Sequence, residues 1–401
     1  MPRDDRSRAP RLPSATDASA EAAARRRSVL GEAGHRLEHV AGTGPEIDPA
    51  ALAGRIEGFV GFARVPLGVF GPLRLAGDRA RGEFHVPIAT SEGAMVASFQ
   101  HVANAVARTD GIATRCTQDR VWRAPAFVFR GLEEAAAFAR WLPSRFDSLA
   151  EVTRDGSRHC RLRDLQPAVV GREVYLRLGF TTGDAAGQNM VTLATDAICT
   201  RLLDEMPAKP EHWQLEANYS GDKKATALAL ASVRGRRVSA ELRLDAKLCR
   251  RYFRVDPAGM ARVWDVAAAG ASLSGMVGVQ GNYANALAGL FVACGQDVAC
   301  VSEAAAGLSR IERTDADELY VSVTLPNLIV GTVGGGTSLP TAGECLDLLG
   351  CRGDGRAAKF AEICGAVVLA GELALAGALA AGGFARAHAT MGRGDASQPP
   401  A

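Results

Sequence analysis

The sequence has no Cys-x-x-Cys pair, although it contains nine cysteines among 401 residues. An odd number of dispersed cysteines argues against a disulfide framework or a zinc site and fits a reducing compartment. We therefore expect no bound metal and a cytoplasmic location. A secretory signal is also missing, because the segment from Met1 to Arg27 is polar and rich in arginine and has no apolar core. This segment is predicted to be a disordered arm.

An excess of charge of one sign is absent as well. The formal net charge is +2, and arginine, which greatly outnumbers lysine, forms no basic stripe with aromatic residues. This argues against a nucleic-acid partner. The one long apolar run, from Cys364 to Gly383, is built from Ala, Gly and Leu and contains Glu372 near its middle. Small residues gain little free energy on insertion into a membrane, and a carboxylate opposes insertion. We therefore predict a buried helix and no membrane span.

The pattern of helices and strands predicts an α+β fold with an inserted small domain. Strand AFVFR, helix LEEAAAFARWL, two strands, a helix from Asp184 to Met206 and strand HWQLEANYS follow one another. This is the order of a ferredoxin-like split β-α-β unit. The predicted division is an arm at 1–27, a large domain at 28–124 and 215–388, a small domain at 125–214, and a flexible tail at 389–401.

Three short segments are compatible with phosphate binding. The segments are GTVGGGT at 331–337, GDAAGQNM at 183–190, and SRH at 157–159. Glycine-rich backbone lets N–H groups approach phosphate oxygens, and an arginine can hold a phosphate. Neither glycine-rich segment has Rossmann or Walker spacing. The alternatives are a common glycine-rich turn, an ordinary helix cap and a surface turn.

Four titratable residues, in four separate segments, together suit the reduction of a carbonyl group. Lys223, in NYSGDKKA, can stabilise an oxyanion if a carboxylate holds it. Glu92 lies among small residues, where desolvation would raise its pKa and make it a proton donor. Asp297 ends an apolar helix and must be partnered, and His388 can protonate a leaving thiolate. The alternatives are a solvated turn for Lys223 and a bystander on a tail for His388.

Seven segments, in order from about Glu57 to Arg393, resemble the catalytic domain of 3-hydroxy-3-methylglutaryl-coenzyme A reductase, class I type. They are EGFVGFARVPLGVFGPL, PIATSEGAMVAS, GDAAGQNM, NYSGDKKATA, VACGQD, GTVGGGTSL and AGELALAGALAAGGFARAH. The resemblance implies that Glu92, Lys223, Asp297 and His388 are a catalytic tetrad serving two hydride transfers from NADPH to a thioester. In this tetrad the resemblance implies that Lys223 stabilises the oxyanion and that Glu92 protonates the aldehyde oxygen. Asp297 interacts with Lys223 and Glu92 and sets their charges, and His388 protonates the thiolate of the departing coenzyme A.

The same resemblance implies which residues contact the ligands. The cofactor contacts are Ser157, Arg158, Asp184, Gly187, Asn189, Met190, Gly334, Gly335, Gly336 and Thr337. The positions of Ser157 and Arg158 face the 2′-phosphate, which favours NADPH. The substrate contacts are Glu57, Ser98, Arg123, Lys224 and Asn285. By this resemblance the small domain binds NADP, the large domain binds the acyl-coenzyme A, and the chain forms a homodimer or a dimer of dimers with active sites at the subunit interface.

The sequence departs from the family pattern at the acyl end of the site. The lysine that holds the substrate carboxylate is replaced by Asp265 or Val266, a serine by Glu216, a histidine by Asn282 or Tyr283, and an Asn-Arg pair by Gln100 and His101. Loss of a cation disfavours an anionic acyl group. Three interpretations remain: a mevalonate-forming reductase by default, a reductase of a different acyl-coenzyme A or carrier-bound thioester, and a non-catalytic binding paralogue.

Overall fold

The computed structural model describes residues 9–13 and 16–383. The helices of this part are α1 (Ala20–Glu32), α2 (Glu38–Ala41), α3 (Met95–Val106), α4 (Leu132–Trp141), α5 (Phe146–Gly156), α6 (Gln188–Glu205), α7 (Ala227–Ala231), α8 (Ala246–Leu248), α9 (Pro257–Leu273), α10 (Tyr283–Ala293), α11 (Val301–Ala304), α12 (Pro340–Leu348) and α13 (Ala357–Ala380). The strands are β1 (Leu67–Ala76), β2 (Arg81–Ala89), β3 (Ala113–Arg123), β4 (Ala126–Val128), β5 (Arg161–Val170), β6 (Glu173–Thr181), β7 (His212–Gln214), β8 (Gly235–Asp245), β9 (Gly278–Val279), β10 (Gly307–Arg313) and β11 (Glu318–Leu328).

Strand β3 joins two halves of a large sheet. Strands β1 and β2 form a separate antiparallel hairpin, whereas the large sheet has the order β7-β4-β6-β3-β8-β11-β10-β9, with β5 beside β6. The first part of β3 pairs with β8, and its last residues, Val121 to Arg123, pair with β6. One continuous strand therefore ties the small domain to the large one.

The small domain has the strand order of a ferredoxin-like fold. Its strands run β7-β4-β6-β5, and every neighbouring pair in that order is antiparallel. The α+β class predicted from the sequence is confirmed. Helix α5 was not predicted. It follows α4 after a short 3-10 turn (Leu142–Arg145) and packs against β5 and α6, burying Leu149 and Ala150.

Helix α13 forms the centre of the large domain. By length and composition it could cross a membrane, with a mean hydropathy of 2.0 in its most apolar window, but 72% of that window is buried inside the protein. Two glutamates on this helix are almost fully buried. Glu362 accepts hydrogen bonds from the N–H groups of Arg79 and Ala80, each at 2.9 Å. Glu372 accepts one from the N–H of Gly281 at 2.9 Å. The carboxylates thus fasten neighbouring loops to the helix.

The predicted disordered arm at 1–27 is wrong for its last part. Ser19 caps helix α1, which begins at Ala20 and buries Ala22 and Leu30. Earlier residues also contact the folded body, since the N–H of Ala9 donates to Glu83 at 3.0 Å. The arginines in the segment suggested a solvated arm, but the small residues between them give α1 a face that packs against the protein.

All nine cysteines are free thiols, and eight of them are buried. Burial raises the pKa of each thiol. For Cys116, which is half-buried, the pKa is about 11, and for Cys300 it is about 12. The expectation of unpaired, non-disulfide cysteines therefore agrees with the structure.

We predict that Glu362→Gln lowers the free energy of unfolding by about 2 to 3 kcal/mol, because one carboxylate oxygen becomes an NH2 group that faces backbone donors. Chemical denaturation followed by circular dichroism measures the change. Glu151→Gln, at an exposed ion pair on α5, is the control and should cost less than about 0.5 kcal/mol. Equal effects of the two substitutions would show that the buried carboxylate is not needed to hold the loop.

Candidate active site

Lys223 lies in a tight turn that follows β7. Its own backbone has φ 56°, in the left-handed region, and Gly221 two residues earlier has φ 75°. The N–H of Lys223 donates to Oε2 of Glu303 at 2.6 Å. This turn carries the lysine side chain across to Asp297, where Nζ and Oδ2 are 2.8 Å apart. The hydrogen bond to Asp297 raises the pKa of Lys223, so its amine is held as an ammonium.

Asp297 is positioned by the end of helix α10. It begins a 3-10 turn (Val298–Cys300), and its Oδ1 accepts the N–H of Ala299 at 3.1 Å. The other oxygen is thereby directed to Lys223. The side chains of Lys223 and Asp297 are 42% and 38% exposed. The pair therefore lies at an accessible surface and combines a hydrogen-bond donor with a neighbouring acid, as stabilisation of an oxyanion requires.

A buried charged cluster underlies this pair. Arg234 is 3% exposed and bonds Glu303 through Nη1 and Asp222 through Nη2, the latter at 2.7 Å. Burial raises the pKa of Glu303 to about 7, against the opposing charge of Arg234. For Asp222 burial acts in the same direction, but Arg234 and Arg123 outweigh it and hold its pKa below the usual range.

Arg123, a predicted substrate contact, is tied to two carboxylates. Its Nη1 lies 2.8 Å from Oδ2 of Asp222 and 3.5 Å from Oε2 of Glu216. Its Nη2 also donates to the main-chain oxygen of Gln188 at 3.3 Å. Glu216 is one of the departures from the family pattern, and its Oε1 is buried without a hydrogen-bond partner in the described part of the chain.

The two glycine-rich segments meet. Ala185 and Val333 form a β-bridge, and the N–H of Thr332 donates to the carbonyl oxygen of Asp184 at 2.9 Å. A Cβ on Gly331 would lie 2.5 Å from the backbone nitrogen of Ala186, so only glycine allows this contact. The segments that sequence analysis assigned to the cofactor therefore form one surface.

Asp184 does not begin helix α6, as its segment suggested. The helix begins at Gln188 after Gly187, which has φ 84°. Instead the Asp184 carboxylate accepts the N–H groups of Gly355 at 2.7 Å and Ala357 at 3.0 Å, at the start of α13. A negative charge is favourable at the N-terminus of a helix. Asp184 thus anchors the loop to the central helix.

The remaining predicted cofactor residues differ in their exposure. Gly334, Gly335 and Asn189 are exposed, whereas Met190 and Gly336 are half-buried and Thr337 is buried. A Cβ on Gly334 or Gly335 would meet no atom within 4 Å, so the space above the loop is open. Ser157 ends α5, and its Oγ accepts the N–H of His159. A Cβ on Gly183 would come within 3.6 Å of the His159 ring, which places exposed Arg158 beside the glycine-rich surface.

Glu92 is exposed in the single chain, so this chain alone does not provide the desolvation predicted for it. It lies just before helix α3. Its N–H donates to Oγ1 of Thr90 at 2.9 Å, and the helix begins only at Met95. His388, the fourth predicted tetrad member, lies outside the described residues.

The other four predicted substrate contacts differ in how exposed they are. Glu57 and Asn285 are exposed, and Ser98 is half-buried on α3. Lys224 is exposed, and its Nζ donates to the main-chain oxygen of Asp222 at 2.9 Å.

The departures from the family pattern fall into two groups. Tyr283 is fully buried and its hydroxyl donates to the carbonyl oxygen of Leu308, so it belongs to the core. Gln100 and His101 are also bound to main chain, Gln100 through the N–H of Gly71 and His101 through the oxygen of Tyr252. In contrast, Asp265 and Val266 are exposed on α9, and Asn282 is half-buried at the start of α10.

Sequence reasoning missed Arg234, Glu303 and Gln188. Gln188 donates through Nε2 to Asp222 at 3.1 Å and accepts from Arg234 at 2.9 Å. Glu303 did offer a signal, because it is a single carboxylate in the otherwise small and apolar run VSEAAAG. Such a residue must be partnered if it is buried.

Comparison with known proteins agrees with this geometry. A family model described as hydroxymethylglutaryl-coenzyme A reductase matches residues 21–393. The 3-hydroxy-3-methylglutaryl-coenzyme A reductase of Methanocaldococcus jannaschii is 38% identical, over 92% of this chain and 92% of that protein. The reductase of Aeropyrum pernix is 41% identical, over 90% and 87%.

A solved structure has the same fold. It is the class II 3-hydroxy-3-methylglutaryl-CoA reductase from Streptococcus pneumoniae bound to NADPH, which is similar with a TM-score of 0.66 and 20% identity over 88% of this chain and 92% of that chain. At this identity the likeness is one of fold. The family match and the archaeal relatives span most of the sequence, including Glu92, Lys223 and Asp297. The chain belongs to the hydroxymethylglutaryl-coenzyme A reductase family.

Proposed function

We propose that the protein reduces 3-hydroxy-3-methylglutaryl-coenzyme A to mevalonate and coenzyme A at the expense of two NADPH. The observation that carries this proposal is the 2.8 Å contact between Lys223 and Asp297. The Lys223–Asp297 pair lies next to the charged cluster of Arg234, Glu303 and Asp222. Arg234 in this cluster donates to Gln188, the first residue of α6 after the cofactor loop. An ammonium poised beside a carboxylate and close to a nucleotide surface suits hydride transfer to a carbonyl.

Each residue then has one task. Lys223 donates to the oxygen that becomes negative when the thioester carbonyl is reduced, and Asp297 keeps the lysine charged. Collapse of the thiohemiacetal releases coenzyme A as a thiolate, which His388 protonates. Glu92, accessible in the turn before α3, protonates the aldehyde oxygen in the second reduction. This division supplies one oxyanion stabiliser and two proton donors.

The proposed NADPH site is the surface made by the two glycine-rich segments, within and beside the predicted small domain at 125–214. The open space above Gly334 and Gly335 admits a diphosphate against bare backbone. NADPH supplies the two hydrides when bound there. Arg158, exposed next to Gly183, is the proposed partner of the 2′-phosphate, together with Ser157.

The proposed assembly is a homodimer or a dimer of dimers. Glu92 is exposed and the Lys223–Asp297 pair is open to solvent in one chain, so a second subunit is needed to exclude water. The segment around Glu57 also presents apolar side chains to solvent, with Val60 fully exposed and Phe62 51% exposed. An exposed apolar surface of this kind fits a subunit interface. We place the enzyme in the cytoplasm.

A second candidate function is the reduction of a different acyl-coenzyme A or carrier-bound thioester. Glu216 favours it, because its carboxylate already occupies one nitrogen of Arg123 and repels an anionic acyl group. Activity that rises toward the methylglutaryl substrate in Glu216→Ser would favour this second function.

The first test is NADPH oxidation by the purified protein with 3-hydroxy-3-methylglutaryl-coenzyme A, with products identified by mass. We expect mevalonate at about 1–10³ turnovers per second and loss of turnover in Lys223→Ala, since the oxyanion then lacks its donor. NADPH binding in Lys223→Ala, measured by fluorescence, is the control for folding. Turnover only with another thioester would select the second candidate, and none with any thioester would leave a binding paralogue.

We predict that Asp297→Asn lowers the pKa of Lys223, because the charged hydrogen-bond partner is lost. The sequence contains five lysines, so ¹³C-dimethylated lysine resonances can be assigned by Lys223→Arg and titrated. The raised pKa of Lys223 adds stability below about pH 10.4, which is lost as pH rises through its folded pKa. Asp315→Asn, at an exposed turn, is the control. A Lys223 resonance with an unchanged pKa would rule out the coupling.

We predict that Arg158→Ala raises KM for NADPH by about 10- to 100-fold and leaves KM for NADH unchanged. Loss of one charge-assisted hydrogen bond costs about 1.5 to 3 kcal/mol, and 1.4 kcal/mol is tenfold. Steady-state kinetics with both nucleotides measures the difference. Arg154→Ala, which removes an exposed arginine paired with Glu151, should change neither constant. A parallel rise for NADH would place Arg158 away from the 2′-phosphate.

A further inference from the structure

Glu303 is a buried residue that contacts the backbone of Lys223. It lies on α11, is 1% exposed, and uses each carboxylate oxygen for a different partner. Oε2 accepts the backbone N–H of Lys223 at 2.6 Å, and Oε1 bonds Nη1 of Arg234. A buried carboxylate with two charge-assisted or short contacts is a strong and directional anchor. Its position is therefore transmitted to the lysine backbone.

The backbone of Lys223 needs such an anchor. A side chain with a Cβ in the left-handed region, here at φ 56°, costs about 1–2 kcal/mol. A residue keeps this strained backbone conformation only where several surrounding contacts hold it in place. The N–H bond to Glu303 is the contact that the structure provides at this residue. If the peptide relaxed, the Cα–Cβ vector of Lys223 would turn and the ammonium would leave Asp297.

Arg234 extends the same network to the cofactor surface. Its Nη2 donates to Oε1 of Gln188 at 2.9 Å and to Oδ1 of Asp222 at 2.7 Å. Gln188 is the first residue of α6, directly after Gly187 of the proposed NADPH surface. Asp222 precedes Lys223 in the chain. Glu303, Arg234 and Gln188 thus connect the lysine turn with the start of the cofactor helix.

We propose that Glu303 is a positioning residue, which holds the Lys223 turn so that the ammonium faces Asp297 and the reacting carbonyl. Through Arg234, Glu303 also fixes the position of this turn relative to the cofactor loop. Glu303 touches neither the substrate nor the cofactor in this proposal. The role of Lys223 on which the proposal rests is that of the proposed function.

Two substitutions of Glu303 separate its contacts. Glu303→Asp keeps the charge that pairs with Arg234 but is one methylene shorter, so it cannot reach both partners. Glu303→Gln keeps the length but turns one acceptor into a donor. Glu344→Gln is the matched control, because Glu344 is also buried and accepts two backbone N–H groups, from His39 at 2.8 Å and Val40 at 2.9 Å, at the far helix α2.

The assays are run at pH 8, where Glu303 is ionised, since burial raises its pKa to about 7 in the presence of Arg234, Asp222 and Cys300. We expect kcat to fall about 10- to 100-fold in both Glu303 variants, as a misplacement of about 1 Å does, with KM for both substrates within about twofold. We also expect a lower pKa of Lys223, read from the dimethyl-lysine resonance. Glu344→Gln should lower stability but keep kcat and the Lys223 pKa.

Wild-type kcat and an unchanged Lys223 pKa in Glu303→Asp would overturn the proposal. So would an equal loss of kcat in Glu344→Gln, because the effect would then be one of general stability. If Glu303→Gln does not fold, Glu303→Asp decides alone, since its ion pair with Arg234 is retained. The Lys223 titration needs no turnover, and it therefore tests the positioning role even if the proposed reaction is not found.

Discussion

The fold depends on matching its four most deeply buried glutamates with backbone N–H donors. Helix α13 can run through the middle of the large domain only because Glu362 and Glu372 are met there by loop amides. An unpaired charge at such a site would cost several kcal/mol. The amides come from the turn between β1 and β2 and from the start of α10, so the helix holds both of these segments.

Carboxylates that accept backbone N–H groups also position the residues of the candidate active site. Glu303 and Asp184 each take up main-chain N–H groups that lie far away in sequence, one in the Lys223 turn and the other at the start of α13. Loop segments with unusual backbone angles are thereby held by carboxylates from parts of the chain that are distant in sequence. The glycine-rich surface and the lysine turn are fastened to one framework, and strand β3 continues that framework by pairing with both β6 and β8.

Much of this architecture could be predicted from local patterns. The alternation of strands and helices gave the ferredoxin-like order, and the Glu372 carboxylate within an Ala-rich run correctly predicted a buried helix. Local patterns could not assign Asp184 to its partner, because its amide donors lie about 170 residues later in the chain. Nor could they reveal that Glu92 is uncovered, since exposure depends on which other segments fold over it. The Lys223–Asp297 contact was implied by resemblance, and only the folded chain provides its geometry.

The buried thiols have a chemical consequence for an enzyme that releases coenzyme A. The thiolate is the attacking species in thiol–disulfide exchange, and burial raises the pKa even of Cys300, which lies 3.5 Å from Gln188 in the site, to about 12. At neutral pH such thiols carry almost no thiolate. A disulfide of coenzyme A near the site would therefore meet thiols that ionise little at neutral pH, which disfavours capture of the protein as a mixed disulfide.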